Sequence, residues 1–158
     1  MKRSLSEKVR CQTTKHLHTL GFARIKSTFW TRPSELVVEF VHLHLYSFAP
    51  EFRIHIGVRV LNDPLRAIAL NGPSSVSVDS YNTKFTEDPA SLMECAAEIA
   101  RYCSDVGDTW WAKQRQLEQH LDNSSLRRPE EAMALREAIA GRADPQRVLR
   151  SRNLLGVS

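Results

Sequence analysis

Residues 22–61 read FARIKSTFWTRPSELVVEFVHLHLYSFAPEFRIHIGVRVL, a segment rich in the β-branched and aromatic residues that favour extended structure. Two short breaks, which contain Pro33 and Pro50, divide it into three predicted strands. We place these strands at Phe22–Thr31, Glu35–Tyr46 and Phe52–Leu61. Because breaks this short can join only neighbouring antiparallel strands, the segment predicts an antiparallel meander.

The side-chain alternation of the second and third strands predicts their register. Pairing Leu45 with Phe52 places apolar side chains opposite each other along one face of the sheet. The same register sets Phe40 opposite Gly57, where the ring can cover the missing side chain. Glu39 is an exception on the apolar face, and an edge position, a helix partner or a β-bulge would each explain it.

The first predicted strand fits the same sheet if Phe29 pairs with Val37. This register adds to the apolar face and directs Arg24, Lys26 and Trp30 to the opposite face. A shift by one residue would place the two basic side chains in the core, where an unpaired charge is costly. We therefore expect the first of these two registers.

The opposite face of the predicted sheet combines basic and aromatic side chains. Its candidate binding residues are Arg24, Lys26, Trp30, His42, His44, Tyr46, Arg53, His55 and Arg59. Such a combination suits an anionic partner, either an acidic protein surface or a single-stranded nucleic acid stacked on the rings. The alternative is a solvated face that the C-terminal helices partly cover, since Val38 and Phe40 on this face call for burial.

Three histidines of this face, His42, His44 and His55, are weak candidates for a metal site. Alternate residues of a strand point the same way, and three imidazoles leave a zinc ion one open position. Arg24 and Arg53 would repel a cation, however, so we expect no metal and no other cofactor.

Sequence motifs for catalysis are absent. The chain contains no G-x-S-x-G, H-E-x-x-H or C-x-x-C pattern. The three cysteines, Cys11, Cys95 and Cys103, show no metal spacing, and we expect reduced thiols. A nucleophilic pair of Cys11 with a distant histidine stays open. No catalytic residue is assigned, and an enzyme is the less expected class.

Length and charge indicate one cytoplasmic domain. The 158 residues can form a single core, with a helix at 1–21, the sheet region at 22–87 and helices at 88–158. The net charge is +4, and residues 1–32 hold eight Lys or Arg against one Glu, an excess that can attract an anionic partner.

No apolar run approaches the roughly 20 residues that span a bilayer, and the N-terminus lacks the apolar segment of a secretory signal. We expect no membrane contact.

Capping signals place one helix before the sheet and three or four after it. Ser4 and Glu7 form a capping box, so the first helix spans about residues 5–20. The later helices are predicted from Asp88-Pro89 to Gly107, over Thr109–Leu121 with Asp108 as the cap, over Pro129–Ala140, and from Asp144-Pro145 to about Leu155. The last of these is rich in arginine and is a candidate for a loosely docked tail. Two segments, Leu65–Leu70 and Val76–Tyr81, are candidates for further short strands.

A family resemblance rests on the order of several short motifs. These are Leu20-Gly21-Phe22, Phe29-Trp30-Thr31-Arg32, Leu36-Val37-Val38-Glu39-Phe40, Phe52-Arg53-Ile54-His55-Ile56-Gly57-Val58 and Trp110-Trp111. In this order the chain resembles the bacterial Domain of Unknown Function 4304 family over about residues 5–121. The resemblance implies an α+β fold, no settled activity, and an association with bacterial conflict and immunity loci. Such domains tend to carry a glutamine near the end of the second strand, where this chain has His42 or His44.

Together these patterns predict an α+β fold with an antiparallel sheet of three to five strands. We expect a non-enzymatic protein that binds another macromolecule through the sheet face or its rim. The resemblance makes an immunity-type inhibitor of a cognate bacterial toxin the leading hypothesis, with a protein as the partner. The alternatives are a nucleic-acid-binding accessory protein, and a metal-dependent hydrolase built on His42, His44 and His55. The identity of the partner and the oligomeric state stay open.

Overall fold

A computed structural model describes residues 4–77, 80–119 and 127–158 and confirms the α+β fold. Four strands form one antiparallel sheet in the order β1-β2-β3-β4, with one helix before it in the chain and four α-helices after it among the described residues. The elements are α1 Leu5–Thr19, β1 Ala23–Lys26, β2 Phe29–Pro33, β3 Val37–Leu45, β4 Phe52–Val60, a 3₁₀ turn Ser75–Ser77, α2 Pro89–Tyr102, a π-helical turn Cys103–Gly107, α3 Asp108–Gln119, α4 Pro129–Ile139 and α5 Pro145–Leu155.

The long hairpin of β3 and β4 has the predicted register. Leu45 pairs with Phe52 and Phe40 pairs with Gly57. A Cβ atom on Gly57 would lie 2.2 Å from Cζ of Phe40, so the phenylalanine ring occupies the space that any larger residue would need. The prediction that an aromatic side chain covers this glycine is therefore confirmed.

The prediction of a single first strand over Phe22–Thr31 is wrong. Residues 23–33 form two strands, β1 and β2, which a tight turn at Ser27 and Thr28 connects. The register is wrong as well, because Phe29 pairs with His42 and Trp30 pairs with Val41. Trp30 therefore lies on the apolar face and Phe29 on the opposite one, the reverse of the expected arrangement.

The first face of the sheet packs on α1 and α2, and this contact forms the main core. Its largest fully buried side chains include Trp30, Leu43, Ile54 and Ile56. Helix α4 extends this layer toward the end of the sheet at Val37. The main core therefore lies where the alternation of β3 and β4 predicts it.

The opposite face of the sheet is covered at one end by α5. Leu155 of α5 is buried with Val38 and Phe40 in a second apolar cluster. Ser151 of the same helix is also fully buried. The candidate assignment of α5 as a loosely docked tail is therefore wrong, and the cover that Val38 and Phe40 require is this helix.

The prediction that Gly107 ends a helix is wrong. The chain continues from α2 through the π-helical turn into α3, and Asp108 has helical backbone angles rather than those of a cap. A Cβ atom on Gly107 would lie 2.7 Å from Ile56 and 2.8 Å from the Trp111 ring, so close packing on the sheet explains this glycine. Trp111 is fully buried there, whereas its neighbour Trp110 is half-buried against the α4 cluster.

The segment after β4 forms no regular strand among its described residues. Residues 65–70 are irregular, residues 75–77 form the 3₁₀ turn, and the rest of the predicted strand Val76–Tyr81 lies partly outside the described residues, at 78 and 79. The segment instead covers the outer edge of β4, where Ile56 N donates to Pro73 O at 3.1 Å and Ile54 N donates to Ser75 Oγ at 2.9 Å. Covering an edge in this way prevents pairing with another chain. Among the described helices, none is long and apolar enough to span a bilayer.

Candidate functional site

The end of the sheet that α5 leaves uncovered carries a shallow groove. Its floor is formed by alternate residues of β3 and β4, and its wall is formed by the segment that follows β4. We name it the histidine groove, and it has a volume of about 480 Å³. The lining residues are His42, His44, Arg53, His55, Leu70, Gly72 and Ser74.

Three of the predicted binding residues lie away from this groove. Arg24 forms two hydrogen bonds with Glu7 of α1, at 2.8 and 3.0 Å, and this contact holds the pKa of Glu7 down at about 2. Trp30 is fully buried and donates from Nε1 to Thr14 Oγ1 at 3.0 Å. Lys26 donates from Nζ to the carbonyl oxygen of Leu154 at 2.8 Å. The different register of the first two strands accounts for the positions of Arg24 and Trp30.

Arg59 lies on the correct face but beneath α5. Its side chain is 2% exposed and donates to Ser151 Oγ at 3.0 Å and to the carbonyl oxygens of Leu65 and Ala67 at 2.7 Å each. A further bond reaches the carbonyl oxygen of Asp63 at 3.3 Å. Arg59 therefore holds a loop and a helix together and offers no surface to a partner. The basic face expected from the sequence is divided, and only the groove end of it is open.

The His42 side chain of the histidine groove is held by two rings and a backbone carbonyl oxygen. The His42 ring stacks between Phe29 and His55, with centroid distances of 4.4 and 5.9 Å. His42 Nδ1 lies 3.1 Å from the carbonyl oxygen of Thr28. Because a carbonyl oxygen only accepts, this contact places a proton on Nδ1 and leaves Nε2 for other contacts.

The wall of the groove lies close to the sheet because of a glycine. A Cβ atom on Gly72 would be 2.2 Å from the carbonyl oxygen of Ile56, so a larger residue would push the segment outward. This close approach brings Ser74 within 3.4 Å of Arg53 Nε, which donates to the Ser74 hydroxyl. A hydroxyl and a guanidinium thereby face the imidazoles.

Two imidazoles of the groove, those of His42 and His55, are harder to protonate than free histidine. The pKa of His55 is lowered to about 4, first by burial and then by the charges of Arg53, His42 and His44. Burial also lowers the pKa of His42, against the effect of its bond to Thr28. Both rings are therefore neutral at pH 7, and Arg53 carries the permanent positive charge.

The lowered pKa of His55 predicts that acid destabilises the protein. In the unfolded chain His55 takes up a proton near pH 6.5, whereas in the folded protein it does so only near pH 4. The unfolded state thus binds more protons in this interval. The contribution of neutral His55 to the free energy of unfolding is therefore fully present above pH 6.5 and is lost as the pH falls toward 4. We expect His55→Gln to flatten this fall in the urea midpoint. An equal slope in wild type and variant would contradict the assignment.

A short series of aromatic side chains continues the groove toward the turn between β3 and β4. The His44 ring contacts Tyr46 edge-on at 5.8 Å, and Tyr46 contacts Phe48 at 4.9 Å. We name Tyr46 and Phe48 the aromatic rim. Phe48 is 81% exposed, the largest exposed fraction among the exposed large hydrophobic side chains of the described residues. The sequence analysis missed Phe48, although an aromatic residue within the turn Ser47–Pro50 is the signal that could have identified it.

The described residues also bear on metal binding and on thiol chemistry. None of their His, Cys, Asp and Glu side chains form a group of three or more that could hold a metal ion, and His42 and His55 are stacked rather than convergent. Burial raises the pKa of the Cys95 thiol to about 12 and raises that of Cys103 as well, so both stay protonated. Cys11 donates from Sγ to Glu7 Oε1 at 3.5 Å, and its pairing with a distant histidine stays a prediction.

Glu39 has a structural environment. It is nearly buried on the first face and accepts hydrogen bonds from Arg32 Nε at 2.7 Å and from Arg115 of α3 at 2.7 and 2.9 Å. Of the explanations left open by the sequence, the partner on a helix is correct, together with a neighbour on β2. This carboxylate joins the sheet to α3.

The histidine groove and the aromatic rim adjoin at His44 and together form the candidate site. Of the residues predicted for it, five remain: His42, His44, Tyr46, Arg53 and His55. Comparisons with protein-family models, with curated proteins and with solved structures found no match for this chain. The resemblance to the Domain of Unknown Function 4304 family stays a prediction.

Proposed function

We propose that this chain is a non-enzymatic binding protein whose aromatic rim is the anchor for a protein partner. The observation that carries the proposal is the 81% exposure of Phe48, next to a half-buried tyrosine at the open end of a rigid sheet. Binding energy at protein interfaces is concentrated in a few aromatic and arginine side chains. The rim provides the aromatic side chains, and Arg53, the strand partner of His44, provides the arginine.

Further apolar side chains near the rim enlarge the proposed contact surface. Val76 is 55% exposed and lines a depression next to Tyr46, and Leu70 is 45% exposed at the wall of the histidine groove. Exposed apolar side chains that lie together and border polar ones are typical of protein interaction sites. Since the permanent charge of the groove is that of Arg53, a partner with a neutral or acidic surface fits best.

The resemblance to the Domain of Unknown Function 4304 family extends this proposal to a class of partner. Its association with bacterial conflict loci favours an immunity-type inhibitor that masks a cognate toxin. The test is co-expression with the product of the neighbouring gene, followed by purification of a stable complex. Failure to recover a complex would remove the support for the toxin-inhibitor form of the proposal.

The proposal predicts that Phe48→Asp weakens the complex. Loss of an aromatic hot spot costs about 2 kcal/mol or more, which corresponds to an affinity about 30-fold lower. The affinity is measured by titration calorimetry with the purified partner. The matched control is Met133→Asp on α4, because Met133 is 60% exposed at a position away from the rim. Wild-type affinity of Phe48→Asp, or an equal loss in Met133→Asp, would contradict the role of the rim.

A further inference from the structure

The histidine groove has the composition of an anion site. Its polar lining consists of three imidazoles, one guanidinium and one hydroxyl, and no carboxylate lines it among the described residues. Elsewhere the arginines of the sheet are neutralised, since Arg24, Arg32 and Arg59 each lie within 4.0 Å of a carboxylate oxygen. Arg53 forms no such ion pair with a described residue. Its charge is therefore available to an external anion.

The donors of the groove are positioned before any ligand arrives. His42 is held by ring stacking and by its contact with Thr28, and Arg53 is held by its bond to the Ser74 hydroxyl at 3.4 Å. All of these side chains project from paired strands or from the segment bound to the edge of β4. Donors fixed in this way lose little conformational freedom on binding, which favours affinity.

Repulsion between positive charges in the groove also favours the binding of an anion. Arg53, His42 and His44 each disfavour protonation of His55, and the segment Leu70–Ser74 contributes no titratable group that would offset them. A bound anion would reverse this repulsion and attract protons to the imidazoles. Binding and protonation would then strengthen each other.

The size of the groove and its single permanent charge limit the class of anion. A nucleic acid backbone requires several cations along its track, but Arg24 is paired with Glu7 and Arg59 is buried under α5. A space of about 480 Å³ instead suits one compact group with many acceptor atoms. A phosphate monoester has three strong acceptor oxygens, so it can accept from the Arg53 guanidinium and from imidazole N–H groups together.

We propose that the histidine groove binds the phosphate group of a small phosphomonoester, with Arg53 as the principal charged contact and His42, His44 and His55 as proton-dependent donors. The site shares Arg53 with the proposed protein contact surface. Phosphate binding is measured without any protein partner, so the failure of one proposal is distinguishable from the failure of the other.

The test is an NMR titration of the full chain with inorganic phosphate, at constant ionic strength maintained with chloride. We expect saturable shifts of the imidazole signals of His42 and His55 and a rise in the pKa of His55 of about one unit, a tenfold gain in proton affinity. Arg53→Gln should weaken phosphate binding about tenfold or more, because a charge-assisted contact is lost. The matched control Arg142→Gln, at an exposed arginine after α4, should bind as wild type does.

Parallel titrations distinguish the sources of the anion. Phosphoserine should bind as inorganic phosphate does, whereas acetate and a thymidine oligonucleotide should bind more weakly. Absence of saturable shifts, retention of binding in Arg53→Gln, or tighter binding of acetate or the oligonucleotide would each overturn the proposal. Tighter binding of acetate would indicate a carboxylate site, and tighter binding of the oligonucleotide would indicate a nucleic acid site.

Discussion

Replacing Arg59 by alanine is expected to lower the free energy of unfolding by about 3–5 kcal/mol, as is typical when one partner of a buried charged network is removed. The guanidinium is 2% exposed and donates to Ser151 of α5 and to the carbonyl oxygens of Leu65 and Ala67. Alanine would remove the donor to the buried Ser151 hydroxyl and to the two loop carbonyl oxygens, and it would open a cavity between β4 and α5. Urea denaturation followed by circular dichroism measures the loss.

A matched control for Arg59 lies on the same strand and the same face. Arg53 is half-buried in the open groove, and its side chain forms one hydrogen bond to a described residue, the one with Ser74. Arg53→Ala should change stability by no more than about 0.5 kcal/mol, the usual range for surface substitutions. If the two alanine variants had similar stabilities, α5 would not be anchored through Arg59. Arg59→Met, which keeps most of the volume, should fall between them.

The contrast between these two arginines shows where sequence reasoning stopped. Side-chain alternation places Arg53, His55 and Arg59 on one face, and the register of β3 and β4 confirms this. Alternation does not tell which part of that face a distant helix will cover. The position of α5, 92 residues after Arg59 at its contact with Ser151, is a tertiary property with no local signal. For β3 and β4 the face was therefore predicted correctly, and partial cover by the C-terminal helices was one of the two alternatives, but the sequence did not tell which residues the cover would hide.

The success with β3 and β4 also has a physical reason. Each strand has nine residues, and a slip of one residue would expose every apolar side chain of a strand at once. The pairing of Phe40 with Gly57 adds a size constraint to this pattern. The alternation of apolar side chains and the size match of Phe40 with Gly57 can both be identified in the sequence, so the register could be predicted from the sequence alone.

The first hairpin lacked such signals. Its turn at Ser27 and Thr28 contains neither glycine nor proline, and β1 has only four residues. The whole segment therefore resembled one long strand, and the wrong register followed from aligning it through Pro33. The argument against a charge in the core also misled, because Arg24 lies on the first face with its charge paired to Glu7. An arginine that is paired and partly exposed is compatible with that position.

Replacing Trp30 by alanine is the most direct test of the β2–β3 register. Trp30 is fully buried opposite Val41 and packs in the main core, so Trp30→Ala should destabilise the protein by about 3–5 kcal/mol. The register expected from the sequence would place the same side chain on the open face, where its removal would have little effect on stability. The comparison variant is Phe48→Ala, which removes an aromatic ring that is 81% exposed.

The hydrogen bond of Trp30 separates burial from polar contact in this test. The indole Nε1 donates to Thr14 Oγ1, and this hydroxyl donates in turn to the carbonyl oxygen of Arg10. Thr14→Val would leave the indole without its acceptor and should cost about 1–3 kcal/mol, the penalty for an unsatisfied buried donor. Because Trp30→Ala removes that donor, adding Thr14→Val to it should cost less than Thr14→Val does alone. Strictly additive effects would mean that the indole does not reach α1, and the β2–β3 register would have to be revised.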